Sequence, residues 1–136
     1  MILRKVLVVD DCVLMHKMCD LALARYREHG TEVLHARNGA EALQTLGENP
    51  DTDLVLLDLN MPVMGGLEFL HVRRERESLW CVIVLVVTTQ GEEADVAEAL
   101  GAGAMGVLTK PLDTEALRTY VDRFFEAGAP HPARPE

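Results

Sequence analysis

Five short runs of Val, Leu and Ile recur along the chain: Lys5–Val9 (KVLVV), Glu32–Ala36 (EVLHA), 53–57 (DLVLL), 82–87 (VIVLVV) and Gly106–Thr109 (GVLT). Runs this apolar, without clean alternation, are the mark of strands covered on both faces. The segments between them carry helical period and helical punctuation. A strand, a helix and another strand joined by short loops form a right-handed crossover, so the pattern predicts a parallel sheet with helices on both faces.

The first helical segment, over 13–29, places Leu14, Met18, Leu21 and Ala22 on one stripe and stops at Gly30, a residue suited to ending a helix. The second opens with Asn38 as N-cap and Glu41 three residues on, a capping-box arrangement, and buries Leu43 and Leu46 before Gly47 and Pro50. The third follows Gly65-Gly66 and carries Leu67 and Leu70 on one face. The fourth begins at Glu92, Glu93 and Asp95, negative charge where the helix dipole favours it, and ends at Gly101. The fifth begins near Asp113 and shows the strongest period, with Leu117, Tyr120, Val121, Phe124 and Phe125. The fold expected is a doubly wound α/β domain: five parallel strands with five helices on both faces, in the flavodoxin-like order 2-1-3-4-5. It spans 1–128, and a proline-rich tail over 129–136 is expected to be disordered.

Length and charge exclude several function classes. At 136 residues the expectation is one domain with no separate output module. The 13 Lys and Arg against 22 Asp and Glu give a net charge of -9, which repels a nucleic-acid backbone. No apolar run is long enough to span a bilayer, and the N-terminus does not read as a signal peptide, so a cytoplasmic protein without membrane insertion is expected. Cys12, Cys19 and Cys81 form no C-x-x-C pair and are expected to be reduced thiols. No two of His16, His29, His35, His71 and His131 have the helical i, i+4 spacing of a zinc pair, so they are read as surface or structural residues.

In open α/β sheets the site lies beyond the carboxyl ends of the strands, where strand order reverses. Here the strand ends carry Asp10-Asp11, Asp58, Thr88-Thr89 and Lys110-Pro111. If strands one and three are neighbours, three carboxylates share one cleft and cannot all ionise cheaply unless something cationic is present. A hard divalent ion with oxygen ligands fits, Lys110 supplies a fixed positive charge and Thr88 a neutral hydroxyl donor. These are the parts that phosphoryl transfer to a carboxylate nucleophile needs. Singly, each has a plainer structural reading: an acidic N-cap, a solvated loop lysine, a strand-end threonine. Their coincidence around one cleft favours the chemical reading.

These residues resemble the receiver domains of two-component response regulators, particularly the stand-alone chemotaxis (CheY-like) type. The resemblance rests on Asp10-Asp11, the run Asp58-Leu59-Asn60-Met61-Pro62-Val63-Met64-Gly65-Gly66, Val87-Thr88, Gly101-Ala102-Gly103-Ala104 and Lys110-Pro111. It implies that Asp58 is the phosphoacceptor, served by a sensor histidine kinase or a histidine phosphotransfer domain. It implies Mg²⁺, with Mn²⁺ able to substitute, held by Asp11, Asp58 and the backbone carbonyl of Asn60, with Asp10 reaching it through water. Thr88 would be the switch hydroxyl, Lys110 its salt-bridge partner, and Pro111 would follow a cis peptide bond. The chain would be no enzyme on other substrates but a signalling phosphoacceptor that catalyses phosphoryl transfer to, and hydrolysis from, its own Asp58. The signal would leave through a downstream protein bound at the face of the fourth helix, fifth strand and fifth helix. Asn60 and Gln90, flanking the acceptor, would position or obstruct the attacking water. One departure stands out: the family usually carries Tyr or Phe three residues before the lysine, and here that position is Val107, smaller and without a rotatable ring.

Roles as a phosphorelay intermediate or a phosphate sink fit the same residues. A phosphatase of the haloacid-dehalogenase kind needs a D-x-D loop after strand one, where this chain has adjacent aspartates. A phosphorylation-independent pseudo-receiver predicts a broken acidic pocket, whereas every pocket residue is present. Gly101-Ala102-Gly103-Ala104-Met105-Gly106 has the letters of a dinucleotide loop, but it closes a helix and enters a strand, the reverse of what pyrophosphate binding requires.

Overall fold

The computed structural model describes residues 3–89 and 92–125. Its strands are β1 (Lys5–Val9), β2 (Glu32–Ala36), β3 (Leu54–Asp58), β4 (Ile83–Thr88) and β5 (Gly106–Thr109). They form one parallel sheet in the order β2-β1-β3-β4-β5, the order expected from the sequence. β3 and β4 start and end one residue later than their apolar runs. The ladder continues to the polar residue at each end, pairing Asp58 with Val87 and Thr88 with Thr109. Asp58 and Thr88 therefore stand on the sheet itself and not on loops.

The five expected helices become six among the described residues: α1 (Val13–Ala22), α2 (Ala24–Arg27), α3 (Gly39–Glu48), α4 (Gly66–Glu75), α5 (Glu93–Gly101) and α6 (Thr114–Phe125). A single 3-10 turn, Glu77–Leu79, follows α4. The extra helix arises because the first segment breaks at Leu23, whose backbone leaves helical geometry (φ -96, ψ 1) while its side chain is completely buried. The chain then turns at Gly30, held at φ +99, a conformation that only glycine adopts without strain.

The stripe read on α1 is also corrected. Its buried residues are Met15, Cys19 and Ala22, while Leu14 and Leu21 are exposed together with Val13. Both sets have helical spacing, so period alone did not choose between them. The N-cap of α3 is as expected in its first half: the Asn38 side chain accepts the Glu41 N–H at 2.9 Å. The Glu41 carboxylate reaches one residue further back than a capping box, accepting the Arg37 N–H at 3.2 Å.

The sheet separates two apolar layers by the alternation of its residues. Leu7, Val9, Val55, Leu57, Val84 and Val86 face α3, α4 and α5, where Ala42, Leu46, Phe69, Leu70 and Ala99 are buried. Val6, Val8, Leu54, Leu56, Ile83, Leu85, Val87 and Leu108 face α1 and α6, with Met15, Cys19, Leu117, Val121 and Phe125. Burying both faces of the three central strands holds their carboxyl ends rigidly side by side. No helix among the described residues is long and apolar enough to cross a membrane. The boundary expected at 128 and the tail over 129–136 lie outside the described residues.

Candidate functional site

Because β1 and β3 are hydrogen-bonded neighbours, Asp10, directly after β1, meets Asp58, the last residue of β3. Both are buried, 2% and 5% exposed, whereas Asp11 is open to solvent. One carboxylate oxygen from each of Asp10, Asp11 and Asp58 lies within 4.8 Å of the others. The Cys12 N–H donates to Asp10 Oδ1 at 2.9 Å, fixing that carboxylate as the chain enters α1.

Lys110, just after β5, extends across the strand ends to both buried acids. Its Nζ stands 3.0 Å from Asp10 Oδ2 and 3.3 Å from Asp58 Oδ1. The Lys110–Pro111 peptide is cis, as the resemblance implied. The loop after β3 is held close: the Asn60 N–H donates to Asp58 Oδ1 at 3.4 Å and the Gly66 N–H to the Leu59 carbonyl at 3.1 Å. A Cβ on Gly66 would stand 2.5 Å from the Asp58 carbonyl oxygen, so α4 can start this near Asp58 only with glycine there.

Electrostatics follow from this crowding. Burial, then the neighbouring Asp10 charge, push the Asp58 carboxyl up to about 6, although Lys110 and the Asn60 N–H pull the other way. For Lys110, burial favours the neutral amine, but its contacts with Asp10 and Asp58 outweigh that and hold the ammonium above its ordinary range. One lysine thus offsets two buried carboxylates only in part. The acidic cleft retains an affinity for a further cation, and its all-oxygen donors fit a hard divalent ion such as Mg²⁺.

Thr88, also buried, stands at the next strand end. Its hydroxyl donates to the Glu92 carboxylate, which also accepts from the Asn60 side-chain amide. Glu92 therefore occupies two donors beside the acidic cleft, Thr88 and Asn60, a role the sequence does not reveal, since there Glu92 reads only as an acid at a helix N-terminus. Its position four residues after Thr88 was the available signal. The other flanking residue expected from the sequence, Gln90, lies outside the described residues.

Val107 lies beside the acidic cleft, not in it, lining a groove of ≈570 Å³ with Thr88, Val96, Leu100 and Lys110. Its N–H donates to the Tyr120 hydroxyl of α6 at 3.3 Å. The aromatic next to β5 is thus supplied by a helix. The glycine-rich run behaves as its context indicated: Gly101 ends α5 and Gly106 opens β5. All three cysteines are free; burial, with Asp10 and Asp20 nearby, pushes the Cys19 thiol up to about 12, which suppresses its thiolate.

Comparison with known proteins agrees with this geometry. The chain matches the response regulator receiver domain family over residues 6–122. It is 33% identical over 125 residues to a chemotaxis protein CheY homolog of Campylobacter jejuni, covering 92% of this chain and 95% of that one. The crystallised chemotaxis protein CheY4 of Vibrio cholerae superposes with a TM-score of 0.76 at 33% identity, covering 89% of this chain and 98% of that one. A chain of the Saccharomyces cerevisiae co-crystal of the histidine phosphotransfer protein Ypd1 with the receiver domain of its downstream response regulator Ssk1 gives a TM-score of 0.75 at 27% identity, covering 88% and 87%. With its sheet order, its acidic strand ends and its bridging lysine in place, the chain belongs to the response regulator receiver domain family and is of the CheY-like type.

Proposed function

We propose that the protein is a cytoplasmic response regulator that accepts a phosphoryl group on Asp58 from the phosphohistidine of a kinase or phosphotransfer protein. An Asp58 oxygen forms the new O–P bond as the P–N bond breaks, and the imidazole leaves with the electron pair. The observation that carries this reading is the bridge from half-buried Lys110 to the buried acids Asp10 and Asp58, at 3.0 and 3.3 Å, beside the buried Thr88. Lys110 then balances charge gained on the phosphoryl oxygens. Asp10, Asp11, Asp58 and the Asn60 carbonyl would hold Mg²⁺, which supplies charge neutralisation for an incoming phosphoryl group. An Asp11→Ala change should weaken Mg²⁺ binding by more than about tenfold, and Thr88→Ala by less than about twofold, read by amide chemical-shift titration. Equal Mg²⁺ affinity in the Asp11 variant would remove the metal assignment.

Before Thr88 can donate to a phosphoryl oxygen, its single O–H must leave Glu92, and the Glu92 charge opposes the approaching dianion. Glu92→Gln should therefore speed phosphorylation by acetyl phosphate about fivefold, corresponding to about 1 kcal/mol of relieved repulsion. An unchanged rate would mean that this carboxylate plays no part in the switch.

Movement of Thr88 and Glu92 is transmitted to the groove between α5 and β5, which both residues line. This favours an output partner on the face of α5, β5 and α6, the fourth and fifth helices of the sequence reading. The exposed apolar side chains of Val13 and Leu14, two and three residues after Asp11, favour the start of α1 as the contact for the phosphodonor.

A further inference from the structure

Asp11 is the least tethered member of the acidic cluster. Asp10 accepts the Cys12 N–H and meets Lys110, and Asp58 meets the same lysine and the Asn60 N–H. Asp11 is exposed, and its side chain makes no hydrogen bond or ion pair among the described residues. Its carboxylate nevertheless stands within 4.8 Å of the two buried ones, whose like charge pushes it towards solvent. Only the backbone keeps it there, and the nearest part of that backbone is the peptide unit joining Asp10 to Asp11.

That peptide unit is held from outside the cleft. The Asp10 N–H donates to the Ala36 carbonyl of β2 at 3.1 Å. The Asp10 carbonyl oxygen, which lies in the plane of the Asp10–Asp11 peptide, is 2.7 Å from Nε2 of His16, a half-buried residue of α1. A carbonyl oxygen only accepts, so Nε2 carries the hydrogen of this bond. His16 Nδ1 is in turn 2.7 Å from Nδ1 of His35 on β2, and one hydrogen between them completes the contact, whichever ring it belongs to. The His16 ring is thus fixed at both nitrogens, between the Asp10 carbonyl and β2. Asp11 and both histidines line one cavity of ≈410 Å³.

We propose that His16 is a positioning residue for the metal-binding cleft: by holding the Asp10 carbonyl it sets the Asp10–Asp11 peptide plane and keeps the Asp11 carboxylate beside the other two. His35 acts through it, by orienting its ring. The inference rests on Asp11 being a Mg²⁺ ligand. Because the peptide unit is planar, a carbonyl free to turn would swing the Asp11 N–H and Cα with it. An Asp11 already in place spares the ion the cost of ordering that ligand on binding.

Mg²⁺ titration of the full chain, followed by amide chemical shifts, tests this without any phosphoryl transfer. His16→Leu should weaken Mg²⁺ binding by about tenfold, the lower end of what losing a group behind a metal ligand costs. His16→Gln, whose amide N–H can take the place of Nε2–H, should stay within about threefold of the wild type. In an Asp11→Ala background His16→Leu should add less than about twofold, since its effect passes through Asp11. Metal-free amide spectra changed only around residues 10–16 and 35 establish that the variants are folded. Wild-type affinity in His16→Leu, a Gln variant as weak as the Leu variant, or a full effect of His16→Leu on top of Asp11→Ala would overturn the positioning role. An Asp11→Ala protein that binds Mg²⁺ as the wild type does is a different failure, of the metal assignment itself, and the positioning role falls with it.

Discussion

Asp58→Asn should stabilise the metal-free protein at pH 8 by on the order of 2–3 kcal/mol, an unusual direction for substitution of a buried polar residue. The Asp58 carboxyl sits at about 6, above its ordinary 3.8, because it is buried beside Asp10. A raised folded-state value means that the folded protein binds this proton more tightly than the unfolded chain does. The resulting stabilisation is complete below about pH 3.8 and is lost as pH rises through about 6. Above that, the ionised carboxylate is a net cost, which asparagine, of the same shape but without charge, removes. The gap between variant and wild type should narrow by about half from pH 8 to pH 5, and saturating Mg²⁺ should close it by stabilising only the wild type. Urea unfolding at the two pH values measures this. A variant less stable than the wild type at pH 8 would show that Asp58 is not held under charge strain.

Lys110→Met should act in the opposite sense. The ammonium stands 3.0 Å from Asp10 and 3.3 Å from Asp58, and its side chain is 21% exposed. Removing it leaves two buried carboxylates with no cation among the described residues within ion-pair reach. The expected loss is about 2–4 kcal/mol at neutral pH without metal, the lower part of the range reflecting partial solvent screening. Much of that loss should vanish in an Asp58→Asn background, since one of the two charges left uncompensated is then gone. A double-mutant cycle by urea unfolding reads the coupling directly. Additive effects, or a Lys110 variant within about 0.5 kcal/mol of the wild type, would contradict a lysine that bridges both acids.

The sheet and the acidic cleft were legible in the sequence for one physical reason: buried parallel strands are apolar throughout, so a polar residue at the end of each run stands out. Asp10, Asp58, Thr88 and Lys110 were all marked this way, and the structure places them together. The α1 face was not legible, because an amphipathic period is ambiguous when apolar residues fall on two sides of a helix. Here Met15, Cys19 and Ala22 took the interior and Val13, Leu14 and Leu21 remained outside. The break at Leu23 has no Gly or Pro to announce it; tertiary burial of that leucine decides it. Contacts made only by folding were equally hidden. Glu92 reads as a helix-dipole acid until Thr88 and Asn60 are brought to it. His16 and His35 have no motif spacing, since adjacent strand and helix, not sequence, make them neighbours.

The central claim is that Asp58 is a phosphoacceptor, and intact-protein mass measures it most directly. After incubation with Mg²⁺ and acetyl phosphate, the wild type should carry a single labile phosphoryl adduct. The adduct should be absent from Asp58→Ala treated alike and from wild type treated without divalent metal. An adduct of equal yield on the Asp58 variant, or none on the wild type even from a histidine-phosphorylated donor, would contradict the account.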